Sequence, residues 1–137
     1  MALSVLLPTD GSPSALHAAD WLNDTANPDK VEVTLMYVIA PRMELGMERF
    51  FTDARLDSLR ILEETESRLT RHRTLHKVTA LGMPAEEIIR YAIDHDIGAI
   101  VMGRRGDVKV GHWIGSVSFG VFQRCPVPVT IIEPDPE

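Results

Sequence analysis

The stretch Ile97 to Met102 is apolar along almost its whole length. A strand of that kind shows apolar side chains on both faces, so it belongs inside a parallel sheet covered above and below. The rest of the chain supplies such a sheet and its cover. Leu3 to Leu7 is another short apolar run, and Pro8-Thr9-Asp10-Gly11 ends it as a turn. Ser12-Pro13 then gives an N-cap followed by proline in the first helical turn. Ala15, Leu16, Ala18, Ala19 and Leu22 form the buried stripe of that helix, with Trp21 at its margin, and Asn27-Pro28-Asp29 stops it. Val31 to Ile39 predicts the next strand, with Val33, Leu35, Tyr37 and Ile39 alternating against Glu32 and Thr34.

Ala40 to Gly46 has no periodicity and reads as a mobile loop. From Met47 to His72 charges are dense, while Leu56, Leu59, Leu62 and Leu69 recur at helical spacing. That pattern predicts one long amphipathic helix, or one broken near Phe51 to Asp53. His76 to Leu81 reads as a strand. Gly82-Met83-Pro84 opens a helix with Ile88, Ile89, Ala92 and Ile93 inward and Glu86, Glu87 and Arg90 toward water. After Ile97 to Met102, glycines cluster from Gly103 to Gly115. A short helix follows from Ser116 to Arg124, Cys125-Pro126 ends it, and Val127 to Ile132 forms a last strand. Glu133 to Glu137 reads as a disordered polar tail.

Five strands separated by helices imply an α/β domain with a parallel sheet and right-handed crossovers. At 137 residues the chain is expected to form a single domain over residues 1–137. Such sheets bind ligands outside the carboxyl ends of their strands, where the strand order reverses. The loops after the first and fourth strands are therefore the places to look.

Charge and hydropathy remove several classes of function. Lys and Arg number 14 against 20 Asp and Glu, a net charge of −6. No basic excess is available for a phosphate backbone, so nucleic-acid binding is not expected. The apolar runs are far shorter than the ~20 residues of a membrane span. The N-terminal apolar stretch follows no positive charge and meets a turn at once, so a signal peptide is not expected. The one cysteine, Cys125, permits no internal disulfide and fits a reducing cytoplasm.

In the fourth-strand loop Gly103 and Gly106 bracket Arg104 and Arg105, and Gly115-Ser116 opens the next helix. Glycine lets backbone N–H groups turn toward an anion. A helix N-terminus adds unpaired donors and partial positive charge. Ser116 and Ser118 can add hydroxyls, and either arginine can pair with phosphate oxygens. The plainer reading is a tight loop with Ser116 as an ordinary N-cap. Neither Gly-Lys-Ser/Thr nor Gly-x-Gly-x-x-Gly after the first strand is present. Asp10 ends the first strand; with Ser12 supplying the cap, its carboxylate is left for ribose hydroxyls or a metal. A local turn hydrogen bond is the alternative.

Other residues give less. His72 and His76 are four apart across a helix-to-strand break, a poor zinc geometry. His112 and Trp113 lie in the glycine-rich loop, where contact with a ligand and simple packing are equally open. Cys125 reads as a small buried hydrophobe. Asp10 has no adjacent acidic partner and no Asp ends the third strand, which excludes receiver-type phospho-acceptor chemistry.

The segments LLPTDGSPSALHAADWL, VTLMYVI, GMPAEEII and IVMGRRG…GSVS…CPVPVTII together resemble the universal stress protein family, in order and over most of the chain. The last is the most specific, because nucleotide-binding members carry Gly-x₂-Gly-x₉-Gly-Ser/Thr. Gly103-x₂-Gly106 and Gly115-Ser116-Val117-Ser118 match it, while the spacer Asp107 to Ile114 has eight residues. One residue fewer moves donors by up to ~3.5 Å.

The resemblance implies a Rossmann-like fold of the adenine-nucleotide α-hydrolase kind. The sheet would be five-stranded and parallel in order 3-2-1-4-5, with helices on both faces. It also implies ATP with Mg or Mn. Asp10, beside Pro8 and Thr9, would hold the adenosine end, and Val38 would contact adenine. Met102 and Gly103 would approach the ribose. Gly106, Gly115, Ser116, Val117 and Ser118 would surround the phosphates, with Arg104 and Arg105 at the variable pair.

A homodimer is implied too. It has separate support in the contrast between the edge strands: the third carries Lys77 and Thr79, whereas Val127 to Ile132 is nearly all apolar and invites another strand. Coverage of that edge by the tail is the alternative. The first functional expectation is thus a cytoplasmic, dimeric, ATP-binding stress-response module with little or no turnover, acting on an unknown protein partner. The second is a nucleotide-free dimeric interaction protein; the third, by fold analogy alone, an enzyme acting on an adenine nucleotide.

Overall fold

The computed structural model of the chain describes residues 2–40, 47–104 and 115–133. Among them the elements run β1 (Leu3–Pro8), α1 (Pro13–Thr25), β2 (Val31–Ile39), α2 (Met47–Glu66), β3 (Thr74–Leu81), α3 (Pro84–Asp94), β4 (Ala99–Gly103), α4 (Ser116–Arg124) and β5 (Val129–Ile132). The strands form one sheet in the order β3-β2-β1-β4-β5, and every neighbouring pair is parallel. This is the expected Rossmann-like topology.

Alternation along the strands feeds two apolar layers. Val5 and Leu7 of β1 join Val33, Leu35 and Val101 beneath Ala18, Ala19 and Leu22 of α1 and Leu62 of α2. Leu6, Met36, Ile100 and Met102 face the other way, against Ile88 and Ala92 of α3 and Val121 of α4. Each fully buried large aliphatic side chain contributes roughly 1.5–3 kcal/mol. The helices therefore cover both faces, and the crossovers bring the strands' carboxyl ends to one rim.

Several boundaries and faces differ from the sequence expectation. Thr34, expected outward, is buried because β2 is covered on both sides; its hydroxyl is paired with Tyr91. α2 ends at Glu66, and residues up to His72 continue as turns closed by Arg68 N–H to Thr65 O and Leu69 N–H to Glu66 O. Its inward face is Ser58, Ile61, Leu62 and Thr65, whereas Leu56 and Leu59 are exposed. The polar pair is admitted because Ser58 bonds Thr79 and Thr65 bonds Thr9. Ile93, expected inward, is exposed as well.

β4 starts at Ala99 because Ile97 N–H closes onto Ala92 O and Asp96 takes a positive φ of 52°. β5 starts at Val129, after two prolines that lack N–H groups. Glu133, expected within the tail, is held by Arg104. The loop proposed over Ala40 to Gly46 falls, beyond Ala40, outside the described residues, as does the tail from 134. Among the described residues no helix is long and apolar enough to cross a membrane.

Candidate functional site

β1 and β4 are neighbours, yet the chain leaves them toward opposite sides of the sheet, so the strand order reverses between their carboxyl ends. A crevice at that point is where open α/β sheets take ligands. The first wall is the turn after β1. Pro8 and Thr9 are buried and Asp10 is exposed. Gly11 supplies the φ of 77° that the turn needs, and Ser12 Oγ caps α1 by accepting from Ala15 N–H at 3.3 Å.

Hydrogen bonds fix this turn in one direction. Gly11 N–H donates to Thr9 Oγ1 at 3.1 Å, and Thr9 Oγ1 lies 2.8 Å from Thr65 Oγ1. Thr65 has a single hydroxyl proton, which goes to Ile61 O at 2.9 Å, so Thr9 is the donor of the pair. The relay ties the floor of the crevice to α2. Asp10 is less available than the sequence suggested: its Oδ1 accepts Ser12 N–H at 3.0 Å. That is the local turn bond left open as the alternative, although the carboxylate stays exposed.

The second wall comes from β4 and α4. Met102 is buried in the layer under α3 and α4. Gly103 has a packing reason of its own: a Cβ there would lie 2.5 Å from Ser14 Oγ and 2.7 Å from Ser14 O. Glycine lets β4 approach the backbone of α1. Arg104 is a junction. Its N–H donates to Ile132 O at 3.0 Å, and its carbonyl accepts Gly115 N–H at 2.8 Å and Ser118 Oγ at 2.7 Å. Both ends of the glycine-rich loop are thereby pinned together. The Ser118 hydroxyl, offered above as a donor to phosphate, is engaged on backbone carbonyls.

Gly115, and not Ser116, is the N-cap of α4, with φ −64° and ψ 154°. Having no side chain, it leaves the first N–H groups of the helix, those of Ser116, Val117 and Ser118, without a side-chain cap. Val117 and, two strands away on β2, Val38 pack against the α3/α4 layer. The structure therefore brings Asp10, the Met102–Arg104 segment and the Gly115–Ser118 segment to the ends of two adjacent strands. Arg105, Gly106, the spacer, His112 and Trp113 lie outside the described residues.

Ser14, Thr65 and Glu133 were not singled out from the sequence. Thr65 alone had a signal, since it sits seven residues after Ser58 on one helix face. The shifted titrations lie elsewhere. Burial first, and then the Arg71 charge, lower the His72 pKa; His72 Nδ1 is 3.3 Å from Asn23 Oδ1. Burial raises the Tyr91 pKa. Among the described residues no three His, Cys, Asp or Glu side chains converge as a metal requires. An open groove of about 420 Å³ lies along α3 beside the end of α4, with Glu86, Arg90, Asp94 and Arg124 among its lining residues and none of the candidate site residues.

Comparison with known proteins gives a consistent result. The model of the universal stress protein family matches residues 1–133. The universal stress protein MJ0531 of Methanocaldococcus jannaschii is 28% identical over 138 aligned positions, covering 94% of this chain and 81% of that protein. A universal stress protein crystallised in complex with cAMP superposes with a TM-score of 0.77 at 22% identity, covering 97% of this chain and 98% of that one. A family protein of Arabidopsis thaliana with AMP bound gives 0.70 at 15% identity, covering 97% and 92%.

Proposed function

This chain belongs to the universal stress protein family, and from that premise we propose that it is an ATP-binding, dimeric regulatory module with little or no turnover. The observation that carries the reading is the N-terminus of α4, capped by Gly115 and opening at the β1/β4 switch point. Unpaired N–H groups and the positive end of a helix at such a crevice suit phosphate oxygens. The relatives crystallised with cAMP and AMP point to adenine nucleotides as the ligand class.

In this reading Ser116, Val117 and Ser118 receive the phosphates through their N–H groups, with Gly106 and Arg105 completing the cradle. Asp10 stands at the ribose, where a carboxylate accepts from hydroxyls and would repel phosphate. Val38, Pro8 and Thr9 form the adenosine end, and the Met102-Gly103 backbone borders the sugar. Mg²⁺ or Mn²⁺ is carried on the triphosphate, where it neutralises charge, and no protein ligand is assigned to it. A general base needs an available acceptor aligned on the attacking water. Asp10 has one oxygen committed to Ser12 N–H, which supports slow hydrolysis at most.

The same proposal includes a homodimer through the last strand, Val127 to Ile132, whose ladder begins at Val129. α4 supports it. Gly120 faces Ala85 of α3, and a helix turns about 100° per residue. Phe122 therefore points away from α3, toward the β5 side, with Phe119 one turn before it; both are exposed. A two-fold axis pairing β5 with its copy would bring these rings together.

Native mass spectrometry of the full chain, with and without Mg-ATP, tests the reading. The expected species is a dimer carrying added nucleotide mass. A bare dimer in excess ATP would favour the nucleotide-free interaction protein and remove the ligand assignment. A cytoplasmic site of action belongs to the same proposal and is checked by fractionation.

A further inference from the structure

β4 and β5 pair in the register Met102↔Ile131 and Gly103↔Ile132, so Arg104 and Glu133 are the next neighbours across the ladder. Met102 and Ile131 belong to the layer under α3 and α4. Alternate residues share a face, which puts Arg104 and Glu133 on the side of the sheet from which α4 starts. Arg104 O also accepts Gly115 N–H, so the arginine adjoins the helix end assigned to phosphate.

The guanidinium already holds an anion. Arg104 Nη1 lies 2.6 Å from both Glu133 carboxylate oxygens. The two partners are held very differently: 17% of the Arg104 side chain is exposed against 69% of Glu133. Arg104 Nε is buried and has no hydrogen-bond partner among the described residues. The cation is thus mostly enclosed by the protein, while its counter-anion is mostly in water. A phosphate group offers the same acceptor geometry with more charge.

We propose that Glu133 is a built-in competitor for phosphate. Its carboxylate occupies Arg104 until a phosphate-bearing ligand at the α4 N-terminus displaces it. The inference rests on the nucleotide reading above and adds to it a residue that sets affinity. It also links the site to β5, because Glu133 directly follows Ile132 at the edge proposed for the dimer.

Isothermal titration calorimetry of Mg-ATP and of adenosine, on the wild type and on Glu133→Gln, separates the possibilities. Exposed ion pairs contribute ~0.2–1 kcal/mol, so Glu133→Gln is expected to tighten Mg-ATP binding by up to about fivefold. Adenosine, lacking phosphate, should bind both proteins equally. Arg104→Gln should weaken Mg-ATP and leave adenosine unchanged. Weaker Mg-ATP binding by Glu133→Gln would make Glu133 a support that orients Arg104 and overturn the competitor role. Equal Mg-ATP affinity in the two proteins overturns it too, while leaving the nucleotide reading intact. No Mg-ATP binding by the wild type overturns both.

Discussion

Gly115→Asp separates helix stability from ligand binding, because the two should move in opposite directions. Gly115 sits at the N-cap of α4 with φ −64° and ψ 154°, a conformation open to any L-residue. Aspartate there can accept from the N–H groups of the first turn, which glycine leaves uncapped. Replacing glycine by a good cap gains a few tenths of a kcal/mol. A negative charge at the positive helix end adds ~0.3–1 kcal/mol. The melting temperature should therefore rise by about 2–4 °C.

The same carboxylate would occupy the donors assigned to phosphate and repel the anion. Hydrogen bonds to charged groups contribute roughly 1.5–3 kcal/mol each. Losing one of them weakens Mg-ATP by about 10- to 150-fold, and losing two weakens it further. Thermal melts and calorimetric titration of the same sample read both effects. Unchanged ATP affinity in a stabilised variant would show that phosphate does not use the α4 N-terminus. A fall in melting temperature would show that position 115 does not cap the helix.

Gly103→Ala tests close packing apart from ligand: its Cβ would meet Ser14 backbone at 2.7–2.8 Å. The overpacking should cost about 1–3 kcal/mol in urea denaturation. His72 predicts a pH dependence. Its native pKa is lowered from 6.5, so below that pH the unfolded chain binds the proton first and stability falls as pH drops; His72→Gln should flatten this slope in denaturation curves recorded across the window. Phe122→Asp, at an exposed position on the β5 side of α4, should shift sedimentation from dimer to monomer while leaving the far-UV spectrum unchanged. Retention of the dimer would place the two-fold contact elsewhere.

The sheet was largely legible because its signals are local. Val31–Ile39 and Ser116–Arg124 match the expected bounds, and Ser12-Pro13 starts α1 as a cap and N1 proline should. The misassigned faces share one cause. Leu56 and Leu59 have the spacing of a buried stripe, but a neighbouring face turns inward because Ser58 and Thr65 find partners on β3 and in the β1 turn. Those partners are 21 and 56 residues away in sequence, and no local pattern encodes them. Gly103 shows the same limit within the candidate site. A glycine beside two arginines suggests an anion, whereas the space its missing Cβ leaves is filled by Ser14.

The two walls of the crevice are chemically unequal, and the inequality decides how an anionic ligand would lie. On the β1 side the polar groups are already paired: Thr9 accepts from Gly11 and donates to Thr65, and Asp10 accepts from Ser12. That wall exposes a carboxylate, which repels phosphate. On the α4 side the Gly115 cap leaves the first backbone donors without a side-chain partner, and Arg104 carries a partly buried positive charge whose present partner is an exposed side chain. Phosphate favours the second wall on both hydrogen-bonding and Coulombic grounds, which leaves the ribose and base to the first. Under the proposed nucleotide reading, a ligand without phosphate would lose the stronger half of these contacts, so binding of any adenine nucleotide is expected to depend on its phosphate.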